Sequence, residues 1–276
     1  MQQLHSFLAA DGLELHGLLH TSGSKSCVIH IHGLGGNFYK DWYTPAMVSL
    51  YKEKGYDYFT FNNRGADFVK RMKYPKEDRQ RWLGYSYEIF EESVYDIEGV
   101  IEYLKSLGYT SFILQGHSSG CQKALFAITQ KEFKEVQKLI LLSPCDDRGL
   151  YLRDWSEEGL EKRLELASKH LDTLITDPDF FMGMPISGNT FLSHFAKGSA
   201  FDCFHYYDED RTFAELEKNP LPTLVLFGSD DYVIDFKNIE RVFAEHNNYD
   251  LHIIEGAGHK YDGFENELKT VISSFL

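Results

Sequence analysis

The run SFILQGHSSG, residues 111–120, decides how this chain folds. Ser111 to Gln115 reads as a short apolar strand of the fully buried type, and a helical pattern begins at Ser119 and continues to Gln130. Only Gly116, His117 and Ser118 lie between them. A strand that turns into a helix over so few residues needs side-chain-free positions where the two elements crowd together, and Gly116 and Gly120 supply them. Ser118, at the tip of that turn, is then forced into strained backbone with its hydroxyl projecting outward.

The same rhythm extends in both directions. Upstream, Leu4 to Ala9 and Leu13 to His20 flank Asp11-Gly12 as a hairpin, followed by buried-strand runs at Ser26 to His32 and Asp57 to Phe61. Downstream the runs are Lys138 to Ser143, Pro222 to Phe227 and Leu251 to Ile254. Helical patterns fill the intervals: Asp41 to Lys54, Ser86 to Leu107, Phe236 to Glu245 and Gly263 to Phe275. In the second of these, Ile89, Phe90, Val94, Ile97, Val100, Ile101 and Leu104 recur at three- and four-residue spacing. Buried strands alternating with helices demand crossover connections, hence a mostly parallel sheet with helices on both faces, an α/β architecture.

One interval breaks the alternation. From Asp146 to Asn219 no buried-strand run occurs, Glu157 to Ile175 reads as helix, and the remainder is rich in Phe and Tyr. Such a stretch is too long for a loop. It reads as a cap inserted over the carboxyl ends of the strands, giving a core of residues 1–145 and 220–276 and a cap of residues 146–219.

Composition narrows the partners. With 28 Lys and Arg against 42 Asp and Glu, the net charge of −14 opposes a sequence-independent grip on nucleic acid. No apolar run approaches the roughly 20 residues of a membrane span. Cys27, Cys121, Cys145 and Cys203 show no CxxC spacing, and His5, Asp11 and Glu14 interrupt the amino-terminal segment, so reduced thiols and a cytoplasmic location are expected. HIH at 30–32 lacks the carboxylate or HExxH set of a metal site, so His30 is expected to pack in the sheet. HGLGG at 32–36 lacks the spacing of a nucleotide cradle. Neither metal nor cofactor is expected.

A serine hydroxyl becomes a useful nucleophile only when a neighbouring base takes its proton. His259, in the Gly-flanked loop after the last strand, is the candidate base among 12 histidines. Asp231, in GSDD after the strand ending at Phe227, is favoured to orient it, while Asp230, Asp146 and Asp147 could reach the same rim. The Gly-rich turn at 32–36 can aim the Leu34 N–H beside that of Ser119 at a developing oxyanion. Cys121 and Cys145 read as small buried apolar residues.

Four motifs in one order, HGLGG (32–36), GHSSG (116–120), GSDD (228–231) and GAGH (256–259), resemble the oxyanion loop, nucleophile, acid and base of the α/β-hydrolase superfamily, over nearly the whole chain. NNRG at 62–65 resembles its turn after the following strand, with Arg64 structural. The resemblance implies the α/β-hydrolase fold and a serine hydrolase, closest in layout to capped carboxylesterases, including feruloyl-type and siderophore esterases. The acid of that superfamily commonly follows the turn glycine by three residues, which matches Asp231. A small-molecule ester with an aromatic or bulky apolar acyl group is the expected substrate, with Phe180, Phe181, Phe191, Phe195 and Phe204 of the cap as candidate pocket residues, the alternative being that these rings pack the cap onto the sheet. The same triad would also serve an acyltransferase, thioesterase, peptidase or carbon–carbon hydrolase, and a non-catalytic binding protein is a further alternative.

Overall fold

The computed structural model describes residues 1–40, 43–207, 213–232 and 236–276. In chain order, its first elements are β1 (Gln2–Leu8), β2 (Glu14–His20), β3 (Ser26–Ile31), α1 (Thr44–Glu53), β4 (Asp57–Asn62), β5 (Lys70–Tyr74), β6 (Arg79–Leu83) and α2 (Ser93–Ser106). Then come β7 (Ser111–His117), α3 (Ser119–Gln130), β8 (Val136–Leu142), α4 (Asp147–Ser168), β9 (Leu174–Ile175), β10 (Ile186–Ser187) and α5 (Gly188–Phe195). The chain finishes with α6 (Ala214–Lys218), β11 (Thr223–Gly228), α7 (Phe236–Ala244), β12 (Tyr249–Ile254) and α8 (Glu265–Phe275). Asp41, where the first helical pattern was expected to start, lies outside the described residues.

Eight strands form one sheet in the order β1-β2-β4-β3-β7-β8-β11-β12. β1 and β2 pair antiparallel and β2 joins β4 antiparallel, whereas β4 through β12 run parallel. The period-two alternation of strand side chains sorts the core onto two faces. Along β7, Phe112 and Leu114 join one cluster with Ile97 and Val100 of α2 and Leu125 of α3, while Ile113 joins the other with Met47 and Leu50 of α1 and Leu268 and Ile272 of α8. A central strand buried on both faces is why the sequence shows a continuous apolar run there.

Two expectations are corrected, and one pair of strands had no signal in the sequence. The pattern over Ser86 to Leu107 is one α-helix, α2, preceded by two single 3-10 turns at Tyr85–Tyr87 and Phe90–Glu92. The hairpin of β5 and β6 carries no apolar run: KRMKY and RQRWL bury only Met72, Tyr74 and Leu83, and the guanidinium of Arg79 lies 3.5 Å over the Tyr74 ring. A strand pair that faces solvent with basic residues shows no buried-strand signal. The helix read at Glu157 to Ile175 instead starts at Asp147 and ends at Ser168, broken at Ser156, where φ is 64°. Asp146 starts it by accepting the Gly149 N–H at 2.7 Å, a cap that satisfies one of the unpaired amides of the first turn.

Within residues 146–219, Tyr151, Leu160, Ala167, Ile175, Phe180, Phe181, Ile186, Phe191 and Phe195 form a cluster of their own, closed by Tyr85 and flanked by Leu34. Cys203, Phe204, Tyr206, Phe213 and Leu216 belong instead to the main core. The separate packing unit therefore ends well before Asn219, because the returning chain already lies on the sheet-side helices. Arg64 is fully buried, held by Asp96 at 2.8 Å, Glu92 at 2.7 Å and Asp11 at 3.1 Å, the structural role read from NNRG.

Candidate active site

Ser118 sits between β7 and α3 at φ 54° and ψ −131°. The glycines around it are there for space. A Cβ on Gly116 would lie 2.5 Å from the Gly120 carbonyl oxygen, and one on Gly120 would lie 2.1 Å from the Ile31 carbonyl oxygen. Gly33 presses directly on the serine, since a Cβ there would lie 2.8 Å from the Ser118 Cβ. The HGLGG loop and the GHSSG turn are thus one packed unit, β3 and β7 being neighbours in the sheet.

The loop is braced from behind. His32 donates from Nδ1 to the Gly33 carbonyl at 2.9 Å and accepts the Asn63 N–H on Nε2 at 3.2 Å, which defines its neutral tautomer. Among the described residues neither the Leu34 N–H nor the Ser119 N–H has a hydrogen-bond acceptor. Ser119 opens α3, so its free amide also stands at the positive end of the helix dipole.

His259 and Asp231 come from the loops after β12 and β11, adjacent parallel strands that deliver both loops to one edge of the sheet. The imidazole Nδ1 lies 3.1 Å from each carboxylate oxygen of Asp231, a buried residue. Donation from Nδ1–H leaves Nε2 as the lone-pair nitrogen. Asp230 is exposed and takes the Ser229 hydroxyl at 3.4 Å. Asp146 is occupied as a helix cap, while Asp147 lies in the cleft wall.

Sequence reasoning did not single out three residues that support this corner. His117 donates from Nε2 to the His259 carbonyl at 2.9 Å, and the rings lie 5.0 Å apart. Ser143 and Tyr261 exchange a hydroxyl hydrogen bond at 2.9 Å, and Tyr261 donates to the Leu226 carbonyl at 2.8 Å. These bonds tie the His259 loop to β8 and β11. Nothing in local sequence distinguishes such groups, because each bond joins residues more than 30 apart in the chain.

A cleft of about 530 Å³ opens over Ser118, lined by Gly33 to Gly36, Tyr43, Cys145, Asp147, Leu150, Tyr151, Met182, Tyr232 and His259, with Lys40 and Lys260. Cys145 is buried, as expected, with its Sγ 3.5 Å from the Ser118 Oγ, and burial pushes the thiol pKa well up. The five phenylalanines expected in the pocket are elsewhere. Phe180, Phe181, Phe191 and Phe195 are buried against each other, with ring centroids 4.8 Å apart for Phe191–Phe195 and for Phe180–Phe191. Phe204 stacks on Tyr206 in the main core. Rings this apolar bury more area in mutual contact than at a cleft wall, and the aromatic lining comes from Tyr43, Tyr151 and Tyr232 instead.

His30 packs in the sheet, bonded to the Tyr43 hydroxyl at 3.1 Å and the Gln115 amide at 3.0 Å. All four cysteines are free and buried. Among the described residues no helix is long and apolar enough to cross a membrane.

A mostly parallel sheet with helices on both faces, carrying a serine at a left-handed strand-to-helix elbow beneath a cleft, defines a hydrolase of the α/β type. The chain belongs to the alpha/beta hydrolase fold family, whose model matches residues 27–174. It is 23% identical over 248 residues to the protein YfhR of Salmonella typhimurium, covering 87% of this chain and 68% of that one. Solved structures share the fold. The Est1E protein of Butyrivibrio proteoclasticus, with ferulic acid bound, superposes at a TM-score of 0.65 with 19% identity, covering 98% of this chain and 96% of that one. An esterase of Pyrococcus furiosus gives 0.65 with 16% identity over 100% and 90% of the two chains. The siderophore hydrolase EstB of Aspergillus fumigatus gives 0.64 with 16% identity over 95% of each.

Proposed function

We propose that this chain is a serine carboxylesterase in which Ser118, His259 and Asp231 form the triad, with residues from α4 to α5 acting as a cap over the cleft. The observation that carries the reading is the Asp231–His259 pair, at 3.1 Å, opening on the same cleft as an elbow serine. His259 Nε2 takes the Ser118 proton as Oγ bonds to the ester carbonyl carbon. The leaving oxygen departs with that proton. Water, deprotonated by the same nitrogen, then breaks the acyl–Oγ bond and returns Ser118 to its starting state. The Leu34 and Ser119 N–H groups, which have no other acceptor among the described residues, would hold the oxyanion, each donor contributing about 3 kcal/mol.

The tyrosines, leucines and Met182 of the cleft suit an aromatic or bulky apolar ester, and similarity to a structure holding ferulic acid points the same way. The test is turnover of para-nitrophenyl acetate by the wild type and by Ser118→Ala. Loss of at least about a thousandfold in kcat, with an unchanged circular dichroism spectrum, is expected. Undiminished hydrolysis by the variant would reject the assignment.

A further inference from the structure

Asp146 and Asp147 are adjacent yet differently placed. Both oxygens of Asp146 are satisfied by backbone, the Gly149 N–H at 2.7 Å and the Tyr207 N–H at 3.0 Å. Asp147 receives one bond: the Gln122 Nε2 donates to its Oδ2 at 2.8 Å, and the same nitrogen donates to the Cys145 carbonyl at 3.0 Å. Its Oδ1 has no hydrogen-bond partner, and no Lys or Arg pairs with it, among the described residues. The carboxyl therefore stands oriented in the cleft wall, next to Cys145, whose thiol touches Ser118.

Asp147 is partly exposed to the cleft, so Oδ1 is reachable from it, and a carboxylate set in such a wall without a cation is disfavoured. Burial, with the Asp146 carboxylate beside it and Asp202 beyond, pushes the Asp147 pKa up to about 7, against the opposing pull of His259 and Gln122. Nearby walls are Tyr151, buried with its ring stacked on Trp155, and the exposed Tyr232, an aromatic ring of the kind that attracts cations. Lys40 and Lys260 also line the cleft, from the loops after β3 and β12, and neither is paired with Asp147.

We infer that Asp147 is a specificity-determining residue that anchors a primary ammonium group on the substrate, so that the natural ester is an amine-bearing one; this rests on Ser118 being the nucleophile of that cleft. A bound ammonium would supply a partner for Oδ1 in the cleft that Tyr232 also lines. Gln122 holds the carboxyl in place beforehand, so little ordering remains to oppose binding.

Two measurements test this separately from the esterase reading. Calorimetric titration of the wild type at about pH 8 compares benzylammonium with benzyl alcohol, a near isostere. The ammonium is expected to bind about tenfold more tightly, a difference of about 1.4 kcal/mol, and the preference is expected to vanish in Asp147→Asn and to persist in Ser118→Ala. Equal binding of the two probes, no binding of either, or a preference that survives in Asp147→Asn would overturn the inference. Kinetics then compare para-(aminomethyl)phenyl acetate and phenyl para-(aminomethyl)benzoate with their hydroxymethyl counterparts. An advantage of about tenfold in kcat/KM for at least one amine ester, lost in Asp147→Asn, is expected. Should the wild type hydrolyse neither these esters nor para-nitrophenyl acetate while still preferring benzylammonium, the esterase reading fails and, with it, the amine-ester assignment, leaving only an ammonium-binding site. Hydrolysis with no amine advantage on either side of the ester overturns the ammonium site and leaves the esterase reading.

Discussion

His117 Nε2 donates to the main-chain carbonyl of His259 at 2.9 Å, so the side chain preceding the candidate nucleophile holds the backbone of the candidate base. The bond sets the height of the His259 loop over the elbow, and a small displacement there changes the reach of the imidazole. His117→Ala is expected to lower kcat on para-nitrophenyl acetate about tenfold with little change in KM, the fold being retained. Steady-state kinetics on the two proteins measure it; an equal loss in KM alone would assign His117 to substrate binding.

The two neighbouring aspartates should behave oppositely. Asp231 is buried and bonds both oxygens to the imidazole region, whereas Asp230 is exposed. Asp231→Asn replaces the acceptor-only carboxylate that selects the Nδ1–H tautomer with a neutral amide and is expected to reduce kcat by about 10³–10⁴. Asp230→Asn is expected to stay within about twofold of wild type, and kinetics on the pair decide the assignment.

Gly120 leaves no room for a side chain, since a Cβ would stand 2.1 Å from the Ile31 carbonyl oxygen and 2.9 Å from that of His32. Both contacts are backbone, so relief requires moving α3 away from β3. Gly120→Ala is expected to cost more than about 3 kcal/mol, read as loss of soluble yield or a large drop in Tm.

Stability should depend on pH through Asp147. Its carboxyl keeps its proton to about pH 7 in the fold, whereas an unfolded chain releases it near pH 3.9. The folded state therefore binds more protons between those values, and stability from this group is complete below the lower value and lost as pH rises through the upper. Asp146, raised to about 6 by burial, adds to the same slope. The charged and titratable neighbours of Asp147 among the described residues include Asp146, Asp202, His259, Tyr85, Tyr151, Tyr232, Cys121 and Cys145. Wild-type Tm is expected to fall from about pH 5 to about pH 8, and Asp147→Asn to be a few degrees more stable than wild type at the upper pH only. Scanning fluorimetry across that range checks it; identical slopes would count against the assignment.

Lys123 and Glu88 form a buried ion pair between α3 and the turn before α2, with Lys123 also donating to Asn63 Oδ1 at 3.3 Å. Removing one partner strands the other charge. Lys123→Met is expected to destabilise by about 3–5 kcal/mol, and Lys123→Met with Glu88→Leu to recover most of the loss, as measured by denaturant unfolding.

The alternating class of the fold, the elbow at Ser118 and the positions of the loops after β11 and β12 were legible in the chain because they follow from local rules. Apolar runs two faces deep make central strands, a three-to-four spacing makes helices, and glycines mark where backbones approach. What those rules do not reach was left to packing among distant residues. Which aspartate meets His259, and that His117 and Tyr261 brace its loop, depend on how far each loop folds back over the sheet edge. Likewise the phenylalanines of residues 180–204 have identical local signatures whether they line a cleft or fill a core. They went to the core because ring-on-ring burial there removes apolar surface from water, while Tyr43 and Tyr151, whose hydroxyls find partners in His30 and Met182, and the exposed Tyr232 line the cleft.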